Sequence, residues 1–293
     1  MQLSWFYFLE FTAIFILLGW AIYIVFKNGQ LNNMPIATMA IGAYLYAYLA
    51  KELHWQFGLA LLAAIVAGAF LSFILALSLG RAPAFSVAIG TIAMIMIIQT
   101  ILRNTKIIGG ESGFWDIPRV NNLFLITCVI MVIIGFFIYR LERSKIGRAM
   151  DVVFVDPDMA RALGINTYWL SVFLQIFAGV IGAIAGVLFA NLLRVVTPRH
   201  FSFGLLISIY CFFFVGGSST MWGLIIFTPI LWGFPLLLPE NIAVWKDSVY
   251  GVLLVVTMLL RPEGVITKKL INSISMNMKR ILRRKGGLKY LIF

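Results

Sequence analysis

"DVVFVDPDMARALGIN", Asp151 to Asn166, carries four charges, a proline and a glycine within sixteen residues. It interrupts a chain in which 62% of residues are hydrophobic. On either side the sequence turns apolar, from Leu123 to Tyr139 before it and from Trp169 to Leu193 after it. Runs of about 17–25 apolar residues are long enough to cross the hydrocarbon core as helices. The segment therefore reads as a bounded polar connection between two membrane spans.

The same reading extends outward. Apolar runs cover residues 4–26, 34–50, 56–79 and 84–102 before this pair, and 203–215, 222–238 and 243–260 after it. Nine spans follow. Charged residues make up 12% of the 293 and mean hydropathy is +0.99, against about 25% charged residues in a soluble domain. A β-barrel would show alternating segments of about ten residues. The fold expected is an all-α polytopic membrane protein, with a transmembrane domain over 1–265 and a basic tail over 266–293.

Charge sets the orientation. Of 23 lysines and arginines, nine lie between Arg261 and Lys289 and five between Arg140 and Arg161. Basic loops stay cytoplasmic, so both regions are placed inside, the N-terminus outside and the loop Arg103–Asn122 outside. The clustering fits membrane topology rather than a nucleic-acid surface. The tail's Ile266, Leu270, Ile274, Met278 and Ile281 recur near the helical period, which suits a helix on an anionic leaflet; a solvated tail is the alternative.

Chemical motifs are few. There is no G-x-x-x-x-G-K-[ST] to cradle ATP phosphates, no H-E-x-x-H, no Cys/His metal cluster and no nucleophile elbow. Cys128 and Cys211 sit in apolar runs and read as core residues, not a disulfide. His54 and His200 fall in outside loops and read as solvated. Glu10, the one clear candidate for an intramembrane ionisable group on an ion pathway, lies about 9 Å into the first span by helical rise, where snorkelling to the interface accounts for it at least as well. The chain reads as a pathway without its own energy source, not an enzyme, binding neither cofactor nor metal. Small residues at fourfold spacing, Ala178, Gly182, Gly186 and Ala190, with Ala60, Ala64 and Gly68, favour close packing within one bundle. The polar breaks Gly29–Asn33 and Gly216–Ser219 read as ordinary turns, with backbone groups lining a cavity as the alternative.

Within the opening segment, Asp156 suits an N-cap, its carboxylate accepting from the backbone of Asp158 or Met159. Pro157 suits the first helical position, and Asp158 complements the helix dipole. Gly164 can adopt the left-handed conformation that ends a helix. The result is two turns, Pro157 to Leu163, with Met159 and Leu163 on one face, Ala160 keeping the helix slim and Arg161 adding a charge. A helix that short is unstable alone. It either docks on a partner or packs on the membrane surface as a connector.

"GRAMDVVFVDPDMARALGIN" resembles the cytoplasmic loop of ABC-importer permeases of the branched-chain amino acid family, through Gly147, Arg148, Ala149, Asp156, Ala160, Gly164, Ile165 and Asn166. Five further segments resemble that family in the same order: "IGAYLYAYL" (41–49), "GGESGFWDIP" (109–118), "TPRHFSF" (197–203), "FVGGSSTMWG" (214–223) and "YGVLLVVTMLLRPEGV" (250–265). The last three favour the M-type subunit. The resemblance implies an importer fold of the second type and an inner (plasma) membrane location of the bacterial kind. It also implies a second, homologous permease chain, two ATPase subunits that hold the ATP, and an external binding protein. It makes the small helix a coupling helix seated in an ATPase groove, its residues Gly147, Arg148, Asp156, Pro157, Asp158, Met159, Ala160, Arg161, Leu163 and Gly164. Asp151 departs from the family's usual basic residue, and Arg199 and His200 from its usual acidic or neutral ones. Same-fold permeases for urea, amides or sugars are the nearest alternative; an autonomous carrier or channel is the other.

Overall fold

The structure is a computed structural model that describes residues 5–234 and 246–260. Among these residues it is all-helical apart from one isolated β-bridge, Phe114 to Val196. The α-helices are α1 (Trp5–Phe26), α2 (Met34–Lys51), α3 (Phe57–Leu79), α4 (Ala84–Asn104), α5 (Leu123–Arg143), α6 (Lys145–Val155), α7 (Pro157–Ala162), α8 (Thr167–Leu193), α9 (Phe203–Gly216), α10 (Met221–Gly233) and α11 (Lys246–Leu260). Each of the nine expected apolar segments holds a helix. Five of them, α1, α3, α4, α5 and α8, are long and apolar enough to cross a membrane alone. Helix α2 is cut short by the polar residues before it, and α10, with Pro229 inside it, spans only about 20 Å. The tail 266–293 and the expected span ends at 235–245 lie outside the described residues.

Helices α2 and α8 form the centre, enclosed by α1 and α3. Small residues allow this. Ala60, Ala64, Gly68, Ser72 and Ala76 are the buried residues of α3, one per helical turn. A Cβ on Gly182 would overlap the Pro35 carbonyl and the Thr38 hydroxyl of α2, and one on Gly186 would overlap the Met39 carbonyl. Gly42 meets the Ala183 backbone in the same way. The fourfold ladder of α8 is therefore an internal seam of one bundle, where backbones approach as closely as lipid-embedded helices require. The outer faces of α3, α4 and α5 are largely exposed and apolar.

The ends of the bundle are sorted. Phe114 and Val196 exchange backbone hydrogen bonds of 2.8 and 2.9 Å, Gln99 donates to the Pro198 carbonyl, and Lys51 donates to the Trp115 carbonyl. These contacts gather the loops 105–122 and 194–202 at one end. Segments 27–33, 80–83, 144–166 and 217–220 gather at the other, through contacts such as Asn28 to Ser171, Tyr168 to the Leu77 carbonyl and Tyr23 to the Ser219 carbonyl. This alternation matches the span order expected from the sequence.

Candidate functional site

Ser144 begins the site. Its hydroxyl accepts from the backbone of Ile146 (3.1 Å) and Gly147 (3.4 Å) and so caps α6, a helix beyond those expected from the sequence. Gly147 is packed against the last turn of α5, where a Cβ would overlap the Glu142 carbonyl. Met150 and Val153 face inward from α6, and Arg148 is exposed. Helix α5 also runs four residues past the expected end at Tyr139, to Arg143.

The small helix forms as its caps dictate. Asp156 accepts from the backbone of Asp158 at 2.8 Å and Met159 at 3.1 Å, and Pro157 takes the first turn. At the other end Gly164 has φ +79°, Gly164 N–H donates to the Arg161 carbonyl, and Ile165 N–H donates to the Ala160 carbonyl. That pair of bonds is a Schellman stop. Regular helix ends at Ala162, with Leu163 as the cap rather than the last helical residue. Ala160 is fully buried, and its methyl faces the bundle. Met159 and Leu163 are 57% and 62% exposed, and Val155, at the joint with α6, is 81% exposed. Arg161 pairs with Asp158 at 2.9 Å. The segment is thus a self-capped knob with an apolar tip, held to the bundle by its small side.

An ionic cluster holds the base of this knob. Lys27, at the end of α1, lies 3.2 Å from Glu142 of α5 and 3.8 Å from Asp151 of α6. Tyr23 also donates to Glu142. Asp151, unexplained by the sequence alone, joins α6 to the end of α1.

The segment 27–33 is not an ordinary turn. Asn28, Asn32 and Asn33 are buried. Asn33 donates to the Thr91 hydroxyl and the Ala88 carbonyl of α4, and accepts from the Tyr210 hydroxyl of α9 at 2.7 Å. Helical rise puts Thr91 about 10 Å into α4, Tyr210 about 9 Å from the end of α9, and Gln175 about 12 Å into α8. Gln175 donates to Gln30 at 2.8 Å. Irregular backbone at that depth is tolerated only inside protein or along a cavity. Below it lies a cavity of about 940 Å³, lined by parts of 28–30, 80–84 and 153–171, including Pro157, Arg161 and Gly164 of the knob. Gly216–Ser219 does not line it, and Gly216 packs closely on Gly223.

A family model described as branched-chain amino acid transport system / permease component matches residues 4–258. The chain belongs to this permease family. It is similar to the high-affinity branched-chain amino acid transport system permease protein LivM of Escherichia coli (strain K12), 25% identical over 290 residues that cover 87% of this chain and 68% of the relative. The LivM protein of Salmonella typhimurium (strain LT2) matches to the same extent. No solved structure matches the chain. This permease is a multi-pass membrane protein and a translocation component rather than a catalyst.

Two expectations about the end of the bundle that gathers loops 105–122 and 194–202 need correction. Glu10 does not snorkel; it is 1% exposed, with Arg119 from the 105–122 loop 3.7 Å away. A loop cation reaches in, so the carboxylate need not reach out. His200 is not a solvated loop residue. Its Nδ1 accepts from the Thr197 N–H at 3.3 Å, completing a capping box, and its ring stands edge-on to Phe189 at 5.4 Å. Burial holds its pKa below the ordinary 6.5. His54 is exposed, as expected. The contacts of Asn33, Gln30 and Gln175 were not anticipated. The signal for Gln175 is an amide placed in the first half of an apolar span.

Proposed function

We propose that this permease is the membrane-spanning subunit of an ATP-driven ABC importer for branched-chain or related amino acids. It works with a second, homologous permease chain, two cytoplasmic ATPases and an external binding protein. Helix α7 is the coupling helix, and ATP is held and hydrolysed on the partner chains. The fold is that of the second importer type, placed with the knob and tail inside and the N-terminus outside, because the basic residues of 140–161 and 261–289 cluster there.

The observation that carries this reading is the knob itself. A six-residue helix with both ends satisfied internally presents Met159, Leu163 and Val155 to water. Exposed apolar groups rimmed by charge, here Asp158 and Arg161, mark docking surfaces. Motion of a docked partner has a route inward. Ala160 fixes α7 against the bundle, α6 is contiguous with it, and Asp151 and Glu142 tie that arm to Lys27 at the end of α1. Segment 27–33 follows at once. Closure of the ATPases would therefore act on the polar segment beside the cavity, as a rigid-body rearrangement of packed helices.

The test is purification of the tagged chain from its native membrane, followed by reconstitution in liposomes. An ATPase is expected to co-purify, and leucine uptake to require ATP and the binding protein. Substrate movement by this chain alone would contradict the reading in favour of an autonomous carrier, and ATP-dependent uptake of urea or a sugar in place of leucine would contradict the substrate class.

A further inference from the structure

The cavity under segment 27–33 has an uncharged polar roof. Asn28 donates to the Ser171 hydroxyl at 2.8 Å, and Gln175 donates to Gln30 at 2.8 Å. Asn28, Gln30 and Ser171 all line the cavity. Two side-chain amide atoms of this segment have no hydrogen-bond partner although buried. They are Oδ1 of Asn28, whose residue is 2% exposed, and Nδ2 of Asn32. The Asn32 amide is oriented by its Oδ1, which accepts from the Met34 N–H at 2.7 Å. One acceptor and one donor thus remain over in a single short segment. Buried polar groups are almost always satisfied, and exceptions call for a ligand, a water or a functional role. The nearby cations are already engaged. Of the two arginines that line the cavity, Arg81 lies over the Tyr168 ring and Arg161 is paired with Asp158, and Lys27 nearby is paired with Glu142.

We propose that Asn28, Gln30 and Gln175 form the inner-end contact for the substrate, and that they recognise the zwitterionic head of an α-amino acid. This rests on the translocation reading above. Amide carbonyls accept from an ammonium and amide N–H groups donate to a carboxylate, so uncharged amides serve both ends of a zwitterion. A fixed charge would favour one end and repel the other. The Gln30–Gln175 hydrogen bond closes the roof, and the substrate's head takes its place on passage to the cavity. The pocket beside Glu10 and Arg119 also carries amides, Asn121 and Asn122, but it holds a carboxylate and a guanidinium 3.7 Å apart.

The experiment uses the whole complex. Thr167 lines the cavity one helical turn below Ser171. In a Cys128→Ala, Cys211→Ala background, Thr167→Cys is labelled by a membrane-impermeant maleimide applied to inside-out vesicles. Leucine at millimolar concentration is expected to slow labelling about tenfold, the loss of access that near-saturating occupancy gives. Isopentylamine and 4-methylpentanoate, each lacking one end of the zwitterion, leave the rate unchanged. In parallel, Gln175→Leu is expected to lower leucine uptake about tenfold or more, the effect of one lost buried hydrogen bond, with the ATPase still co-purifying. Labelling that ignores leucine, equal protection by either one-ended analogue, or normal uptake by Gln175→Leu overturns the amide site. Absence of any ATPase from the unsubstituted complex overturns the function proposed above instead.

Discussion

Lys27 and Asp151 are 124 positions apart in the chain and 3.8 Å apart in the fold. Their pairing sets the helix that precedes the knob against the end of α1. Lys27 is the shared partner, with Glu142 nearer at 3.2 Å. The two carboxylates differ in burial. Half of the Asp151 side chain is exposed, against 22% for Glu142.

That difference predicts unequal costs. Asp151→Asn loses a solvent-screened contact worth about 0–1 kcal/mol. Lys27→Met leaves the less exposed Glu142 carboxylate without its cation and costs about 1–3 kcal/mol. Thermal unfolding in detergent should rank Lys27→Met clearly below Asp151→Asn. Equal stability of the two variants would remove the cluster from the account.

Gly164 is a conformational requirement, not a packing one. Its φ is +79°, and a Cβ there would meet nothing within 4 Å. A β-branched side chain in that conformation costs about 1–2 kcal/mol, while Asn tolerates it. Gly164→Val should weaken ATPase co-purification and uptake while the bundle folds normally, and Gly164→Asn should restore most of both. Pull-down yield beside a melting curve of the purified chain separates the two effects.

The central seam makes the opposite prediction. Gly182→Ala forces a methyl against the Pro35 carbonyl, where no flexible side chain can yield. The expected destabilisation is about 1–3 kcal/mol, read as a lower unfolding temperature and a lower yield of monodisperse protein. Gly58→Ala, at a position open on all sides, should change neither.

His200 predicts acid sensitivity at the end of the bundle that holds loop 194–202. Its pKa is held below 6.5 by burial, so on acidification the unfolded chain takes up the proton first. Stability is full above about pH 6.5, falls as pH drops through that value, and levels off below the folded-state pKa. The slope is at most about 1.4 kcal/mol per pH unit for one proton. Melting temperatures at pH 7.5 and 5.5 should converge in His200→Gln relative to the unsubstituted permease.

Much of this was legible in the sequence. Hydropathy located the apolar helices, and the residues Asp156, Pro157 and Gly164 described the caps of α7 to within a residue, because capping is local chemistry. The glycine ladder of α8 was legible for the same reason. What was hidden depends on partners distant in the chain. Lys27 reads as a loop charge until Glu142 and Asp151 arrive from more than a hundred residues away. Glu10 reads as a snorkelling residue until Arg119 descends onto it. Hydropathy also made 27–33 a surface turn, since Asn and Gln look alike whether water or Thr91, Tyr210 and Gln175 satisfies them. Only the depth of those partners along their helices separates the two cases.

The central claim is that the tip of α7 touches an ATPase. A photo-crosslinking amino acid placed at Met159, a water-exposed position at that tip, tests it in native membranes. The account predicts a covalent adduct with a cytoplasmic ATP-binding subunit, identified by mass. An adduct only with lipid, or with the other permease chain alone, would contradict it.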